Sequence, residues 1–124
     1  MKLQESAEMY LETIVVLGKE LEKVRSVDIA RSMGFSKPSV SVAIHSLADS
    51  GYININSDSS ITLTEAGLEI ASRIYERHQV ISDFLKKIGV DEKIAESDAC
   101  KIEHDISDES FFCLKNYLKE LKYR

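Results

Sequence analysis

The segment Cys100-Lys101-Ile102-Glu103-His104 sets a thiol, a carboxylate and an imidazole at i, i+3 and i+4. On a helix that spacing puts all three on one face, and each of these side chains can coordinate a metal. Three donors from one helix do not close a site, so others must come from elsewhere in the chain. Met9 and Glu12 stand three residues apart near the start, and His78 lies among the apolar neighbours Ile74, Ile81 and Leu85. Taken singly, each has a plainer explanation: Met9 as core filler, His78 as a satisfied boundary histidine, Cys100 as a small buried hydrophobe. Taken together they form a donor set for a divalent metal. An open metal position could activate water, which would make the cluster a metalloenzyme. No additional nucleophile, acid–base pair or phosphate-binding loop accompanies it, so no enzymatic role and no organic substrate are expected.

The elements that position these residues are mostly helical, since one proline and five glycines leave little room for a loop-rich or all-β chain of 124 residues. Tyr10, Leu11, Ile14, Leu17 and Leu21 recur at spacings of three and four, the stripe of an amphipathic helix over residues 5–21. Ser26 is a candidate cap for a second helix over 27–33, with Asp28 in its first turn and Gly34 as its stop. Ser36 caps a third, with Pro38 in the first turn where its missing N–H costs nothing, and Gly51 ends it. Two short helices joined by a tight glycine turn spell helix-turn-helix. The period then changes to two over 52–56 and 61–63, with Ser57-Asp58-Ser59-Ser60 between them, which predicts a small β-hairpin in the position of a wing. Thr64 caps a long helix over residues 65–88, on the order of 37 Å at about 1.5 Å per residue. Two more helices are expected over 92–106 and 108–121. The chain therefore reads as mainly α: a winged helix-turn-helix over residues 1–72, followed by an α-helical domain over 73–124, with the long helix bridging the two.

In a helix-turn-helix the second helix presents its N-terminal end to the major groove, which nominates Ser36, Lys37, Pro38, Ser39, Val42 and His45 as the DNA-facing residues. Ser36 and Ser39 can donate to phosphates or bases, Lys37 supplies charge, and Val42 can touch a thymine methyl group. The net charge of −5 argues against nucleic acid at first sight. Locally the balance differs: between Lys19 and Ala48 five basic residues face three acidic ones, and the stretch from Lys37 to Ala48 has no acidic residue. Residues 1–72 as a whole still carry six basic against ten acidic side chains, with Glu5, Glu8 and Glu12 on the first helix. A bound cation that neutralised some of those carboxylates would relieve repulsion of the phosphates. The N-terminus lacks the order of a secretory signal, no apolar run is long enough to span a bilayer, and Cys100 and Cys113 are no disulfide framework. A cytoplasmic protein with no membrane partner is expected.

With these residues in view, the sequence resembles the diphtheria-toxin-repressor-type metalloregulators, which include iron-dependent repressors and manganese transport regulators. The resemblance runs over nearly the whole chain. It rests on Glu8-Met9-Tyr10-Leu11-Glu12-Thr13-Ile14, Val27-Asp28-Ile29-Ala30, Pro38-Ser39-Val40, Leu63-Thr64 with Gly67, Arg77-His78, Phe84-Leu85, Ile88-Gly89-Val90 and Cys100 to His104. It implies the short form of the family, without an SH3-like third domain. It also implies that Met9, Cys100, Glu103 and His104 match the primary site of the iron branch, whereas Glu12 and His78 look like second-site ligands of the manganese branch. Ser82 and Glu96 stand where the iron branch would place a glutamate and a histidine.

The function so implied is a homodimeric, metal-dependent transcriptional repressor that binds a palindromic double-stranded DNA operator and controls metal-uptake genes. The alternative is a metal-independent winged-helix regulator whose metal site is structural or decayed. Met9 and Cys100 are softer donors than carboxylates, so ferrous iron is favoured as cofactor, with manganese possible and cobalt, nickel or zinc in vitro. One strong and one weak or empty metal site per subunit are expected. Phe111, Leu114 and Leu118 form an apolar stripe that suggests dimerisation through the last helix, with Cys113 packed beside it.

Overall fold

A computed structural model describes residues 5–122, so the reading of Met1 to Gln4 as no export signal lies outside them. The chain divides into two compact units, Met1–Ser72 and Arg73–Arg124.

In the first unit α1 (Glu5–Glu20) buries Tyr10, Leu11 and Ile14 on one side. Helix α2 (Ser26–Met33) begins one residue earlier than its serine suggests. Asp28 reaches back and accepts the backbone N–H of Arg25 at 2.9 Å, which makes Arg25 the cap and Ser26 the first helical residue. Gly34 closes α2 in the left-handed conformation, φ 70°, and its N–H returns to the Ala30 carbonyl. Helix α3 (Lys37–Asp49) starts as the sequence predicts, with Ser36 accepting the Ser39 N–H and Pro38 in the first turn. Its buried residues Val40, Ile44 and Leu47 join Leu11, Ile14 and Ile29 in one core. The opposite side of α3 is thereby turned outward.

The wing is formed by β1 (Ile53–Ile55) and β2 (Ile61–Leu63), antiparallel with Ile53 opposite Leu63 and Ile55 opposite Ile61. Asp58 organises the connecting loop by accepting from the Ser60 N–H at 3.0 Å and the Ser60 hydroxyl at 2.5 Å. Lys23 donates to the same side chain at 2.6 Å. The hydrogen bond from Lys23, reinforced by those from Ser60, holds the Asp58 carboxyl well below the usual carboxylate range. The loop end of the wing is anchored by the Ile61 N–H, which donates to the Val24 carbonyl at 2.7 Å.

Helix α4 (Glu65–Lys87) has residues in both units. Thr64 accepts the Gly67 N–H and donates its own hydroxyl proton to the Gly51 carbonyl at 2.7 Å, tying the helix start to the turn after α3. The second unit continues with α5 (Glu92–Ile102) and α6 (Asp108–Lys122), around a core of Ile81, Ala99 and Phe111 with Val80, Leu85 and Ile106 packed against it.

Two sequence expectations change here. The helix expected to run to Ile106 ends at Ile102, because the Arg77 guanidinium draws off the carbonyls of Glu103 and Ile106, and Ser107 accepts the Ser110 N–H to open α6. The stripe on α6 faces inward: Phe111 and Leu118 are 8% and 4% exposed, while Phe112 on the other side is 63% exposed. The stripe therefore serves this chain's own core and is no argument for dimerisation. Cys113 is likewise exposed and not packed beside it.

Gly67 is buried against the Tyr52 backbone, where a Cβ would overlap the Tyr52 carbonyl oxygen. Gly67→Ala should lower the unfolding free energy by about 1–3 kcal/mol, the usual cost of overpacking. A urea titration of wild type and variant measures it, and an unchanged midpoint would contradict this packing.

Candidate metal centre and nucleic-acid interface

In the second unit, α4 carries His78, Ser82 and Lys86 at i, i+4 and i+8, one face of the helix. Helix α5 carries Glu96 and Cys100 at i and i+4, and the turn that follows adds Glu103. Asp91 caps α5 by accepting the Lys93 N–H. Ala95 and Ala99, both fully buried, point the rest of that face inward. The i, i+3, i+4 spacing of Cys100, Glu103 and His104 is thus not a continuous helical face, since Glu103 and His104 lie in a turn. The backbone nevertheless stays near helical there, with Glu103 at φ −58° and its N–H on the Ala99 carbonyl, so the geometry inferred from the spacing is nearly kept.

His78, Cys100 and Glu103 place one donor atom each within 4.8 Å of one another. Glu103 is fully buried. Its Oε2 lies 2.8 Å from His78 Nδ1, and its Oε1 lies 3.3 Å from Nε2 of the buried His104. That second contact lacks hydrogen-bond geometry, so Oε1 is buried without a donor. Cys100 Sγ lies 3.7 Å from the same His78 Nδ1. A buried carboxylate with one oxygen lacking a donor, its two oxygens facing different imidazoles and a thiol close to one of these, is an environment a divalent cation fits, because burying an anion costs several kcal/mol unless positive charge compensates it. Met9 and Glu12 belong to the first unit, one helical turn apart on α1, with Met9 38% exposed and Glu12 half-buried.

Sequence reasoning treated Glu96 and Ser82 only as departures from a family pattern, and it overlooked Lys86. In the structure Glu96 Oε2 pairs with His78 Nε2 at 2.7 Å, while Oε1 accepts from Lys86 at 2.9 Å and from Ser82 at 3.0 Å. Lys86 foremost, then His78, lowers the Glu96 carboxyl to about 2. The signal was available in the shared helical spacing of His78, Ser82 and Lys86. Arg77 was quoted only as part of a motif. Its buried guanidinium holds the Glu103 and Ile106 carbonyls, pairs with Asp108 and stacks over Phe111 with 5.3 Å to the ring centroid. It thereby shapes the turn that carries Glu103 and His104.

In the first unit all six residues nominated for DNA are exposed, on the side of α3 away from the core. Ser36 donates its hydroxyl to Ser39 Oγ at 2.9 Å, and His45 Nδ1 lies 2.8 Å from the Ser41 carbonyl. Val42 is 73% exposed, the highest figure among the exposed large hydrophobics of the described residues. Ser41, also exposed, lies one turn from Lys37 and one turn from His45 on the same side of α3, a spacing of four on either side that sequence reasoning passed over. Lys23, counted among the local cations, is paired with Asp58, so the positive balance near α3 is smaller than a residue count suggests. Among the described residues no helix is long and apolar enough to cross a membrane.

Two family models match the chain: "Iron dependent repressor, N-terminal DNA binding domain" over residues 2–61, and "Iron dependent repressor, metal binding and dimerisation domain" over residues 64–124. An uncharacterized HTH-type transcriptional regulator of Methanocaldococcus jannaschii is 35% identical over 97% of this chain and 98% of its own length. The transcriptional regulator MntR of Escherichia coli O157:H7 is 37% identical over 82% of this chain, which spans 65% of that protein. Among solved structures, a manganese-dependent transcriptional repressor in complex with manganese superposes with a TM-score of 0.84 at 26% identity, covering 91% of this chain and 52% of that one. The manganese regulator SloR gives 0.81 at 28% identity, covering 91% and 53%.

Arg77→Met removes donors from two carbonyls in the turn and should cost about 1–3 kcal/mol of stability. Asp108→Asn should cost less, because the Asp108 side chain is 90% exposed and its ion pair is largely solvated. Parallel urea titrations compare the two, and equal losses would mean that the ion pair, not the carbonyl contacts, shapes the turn.

Proposed function

This chain belongs to the iron-dependent repressor family, and on that premise we propose that it is a metal-activated transcriptional repressor, acting as a cytoplasmic homodimer on a palindromic operator that controls metal uptake. The observation that carries this reading is the buried Glu103 carboxylate, one oxygen without a donor, grouped with His78 and Cys100 and lying 3.3 Å from His104 Nε2. Residue type and family resemblance add Met9 and Glu12 of the first unit as further ligands. A divalent cation bound there would supply the positive charge that the buried carboxylate needs. Cys100 and Met9, as soft donors, favour ferrous iron over manganese, whereas Glu12 and Glu103 keep manganese open as a cofactor. One strong site per subunit follows, since a thiolate is a poor partner for a second hard cation.

Lys37, Ser39, Val42 and His45 on the outward side of α3 are the proposed readers of the operator, with Ser36 and Pro38 setting the start of that helix. Lys37 acts on phosphate. Val42 is apolar and exposed where a thymine methyl group could meet it. If metal favours the DNA-competent state, then operator DNA must tighten metal binding by the same factor.

Operator affinity measured anaerobically with iron, manganese, cobalt, nickel and zinc, and with a chelator, tests the function. The expected result is a metal-dependent gain within the roughly 5–150-fold range of allosteric couplings, strongest for iron. Equal affinity with chelator would favour a metal-independent winged-helix regulator. Cys100→Ala should abolish the metal-dependent gain while leaving the protein folded, and full activation of that variant by manganese would overturn the ligand assignment. Lys37→Ala should weaken binding to all sequences alike and reduce the salt slope by about 1, with metal affinity unchanged. Sedimentation at micromolar concentration should show a dimer, and a monomer with and without metal would contradict the assembly.

A further inference from the structure

Glu96 and its neighbours form a polar cluster on the outer side of His78. Both carboxylate oxygens are engaged: Oε1 by Lys86 at 2.9 Å and Ser82 at 3.0 Å, and Oε2 by His78 Nε2 at 2.7 Å. Ser82 is buried, so its hydroxyl is a fixed donor, and Lys86 is half-buried along the same helical face. The two ring nitrogens of His78 therefore meet different surroundings. Nε2 faces a carboxylate whose second oxygen is already satisfied, whereas Nδ1 faces Glu103 Oε2 at 2.8 Å and Cys100 Sγ at 3.7 Å.

We propose that Glu96 is a positioning residue for the metal centre: held by Ser82 and Lys86, it accepts the His78 Nε2–H and presents Nδ1 as the metal-binding nitrogen. The inference rests on the metal-centre reading given above. Its physical basis is general. A ligating histidine is oriented by the hydrogen bond that its other nitrogen makes, and a carboxylate partner fixes both the ring angle and the tautomer. Lys86 matters because it balances the charge of Glu96 and occupies the oxygen that could otherwise bind a cation directly. Glu96 thus acts through His78 and is not itself a ligand. Ser82 and Lys86 each lie one or two turns along α4 from His78, so this helix supplies both the ligand and the donors that hold its partner.

Two measurements on the full chain test this. In cadmium-loaded, 15N-labelled protein, 113Cd–15N coupling should appear at His78 Nδ1 and not at Nε2. Coupling at Nε2 would overturn the proposal. In anaerobic calorimetry with cobalt, Glu96→Ala should weaken binding by about ten- to a hundredfold, the usual effect of losing such a partner. Glu96→Gln, which retains a hydrogen-bond acceptor, should recover part of that loss. In a His78→Ala background Glu96→Ala should have no further effect, because nothing remains for Glu96 to position. The same loss in both backgrounds would make Glu96 a ligand or a merely structural residue and would overturn the proposal. Unchanged affinity in Glu96→Ala refutes the positioning role alone, whereas a wild-type protein that takes up neither cobalt nor cadmium refutes the metal centre as well.

Discussion

The buried carboxylate of Glu103 is the constraint around which the second unit is arranged. Desolvating an anion costs several kcal/mol, and no surface residue can offset that from a distance. Positive or donating groups must reach it. His78 meets one oxygen, His104 lies near the other, and that second oxygen still lacks a true donor. Helix α4, the α5 C-terminus and the following turn must all hold their places for this arrangement to persist. Arg77 contributes from the backbone side by binding the carbonyls of Glu103 and Ile106. The site is therefore a demand for positive charge built into a core, and a divalent metal is the natural answer to it.

The first unit solves a different problem. It must expose a helix face that can enter a groove while keeping that helix rigid. Helix α3 does this by burying Val40, Ile44 and Leu47 under α1 and α2 and leaving Lys37, Val42 and His45 outside. The hairpin is pinned at its loop end, by Val24 against Ile61 and by Lys23 against Asp58. The same ion pair commits Lys23, one of the few cations of this unit, to the hairpin loop. In an acidic chain this leaves electrostatic attraction for DNA weak, so any neutralisation of carboxylates would have a large effect on affinity.

Polar groups beside the candidate donors set this cluster apart from a bare group of His, Cys and Glu side chains. Glu96 and Lys86 are half-buried and Ser82 is buried beside the apolar core of Ile81, Ala99 and Phe111. They converge on one imidazole nitrogen. A surface ion pair such as Lys86–Glu96 adds little stability by itself. Its consequence is orientational: it fixes a carboxylate that in turn fixes a histidine.

Local signals in the chain determined most of the element plan, because caps, turn glycines and hydrophobic period act over a few residues. Ser36 with Pro38, Gly34, Gly51 and the alternating residues of the hairpin were legible for that reason. Cys100, Glu103, His104 and His78 could be nominated as donors from residue type and from resemblance, and the structure brings His78, Cys100 and Glu103 together. Tertiary structure decided what depends on residues distant in sequence. The sequence could not end α5 at Ile102, since that stop is set by Arg77, 26 residues before Glu103. Nor could it show that Phe111 and Leu118 are buried while Phe112 is exposed, because a periodic stripe marks an apolar face without naming what covers it. The role of Glu96 depended on the same kind of information: a hydrogen bond to His78 spans 18 residues, and only the packing of α5 beside α4 brings the two together.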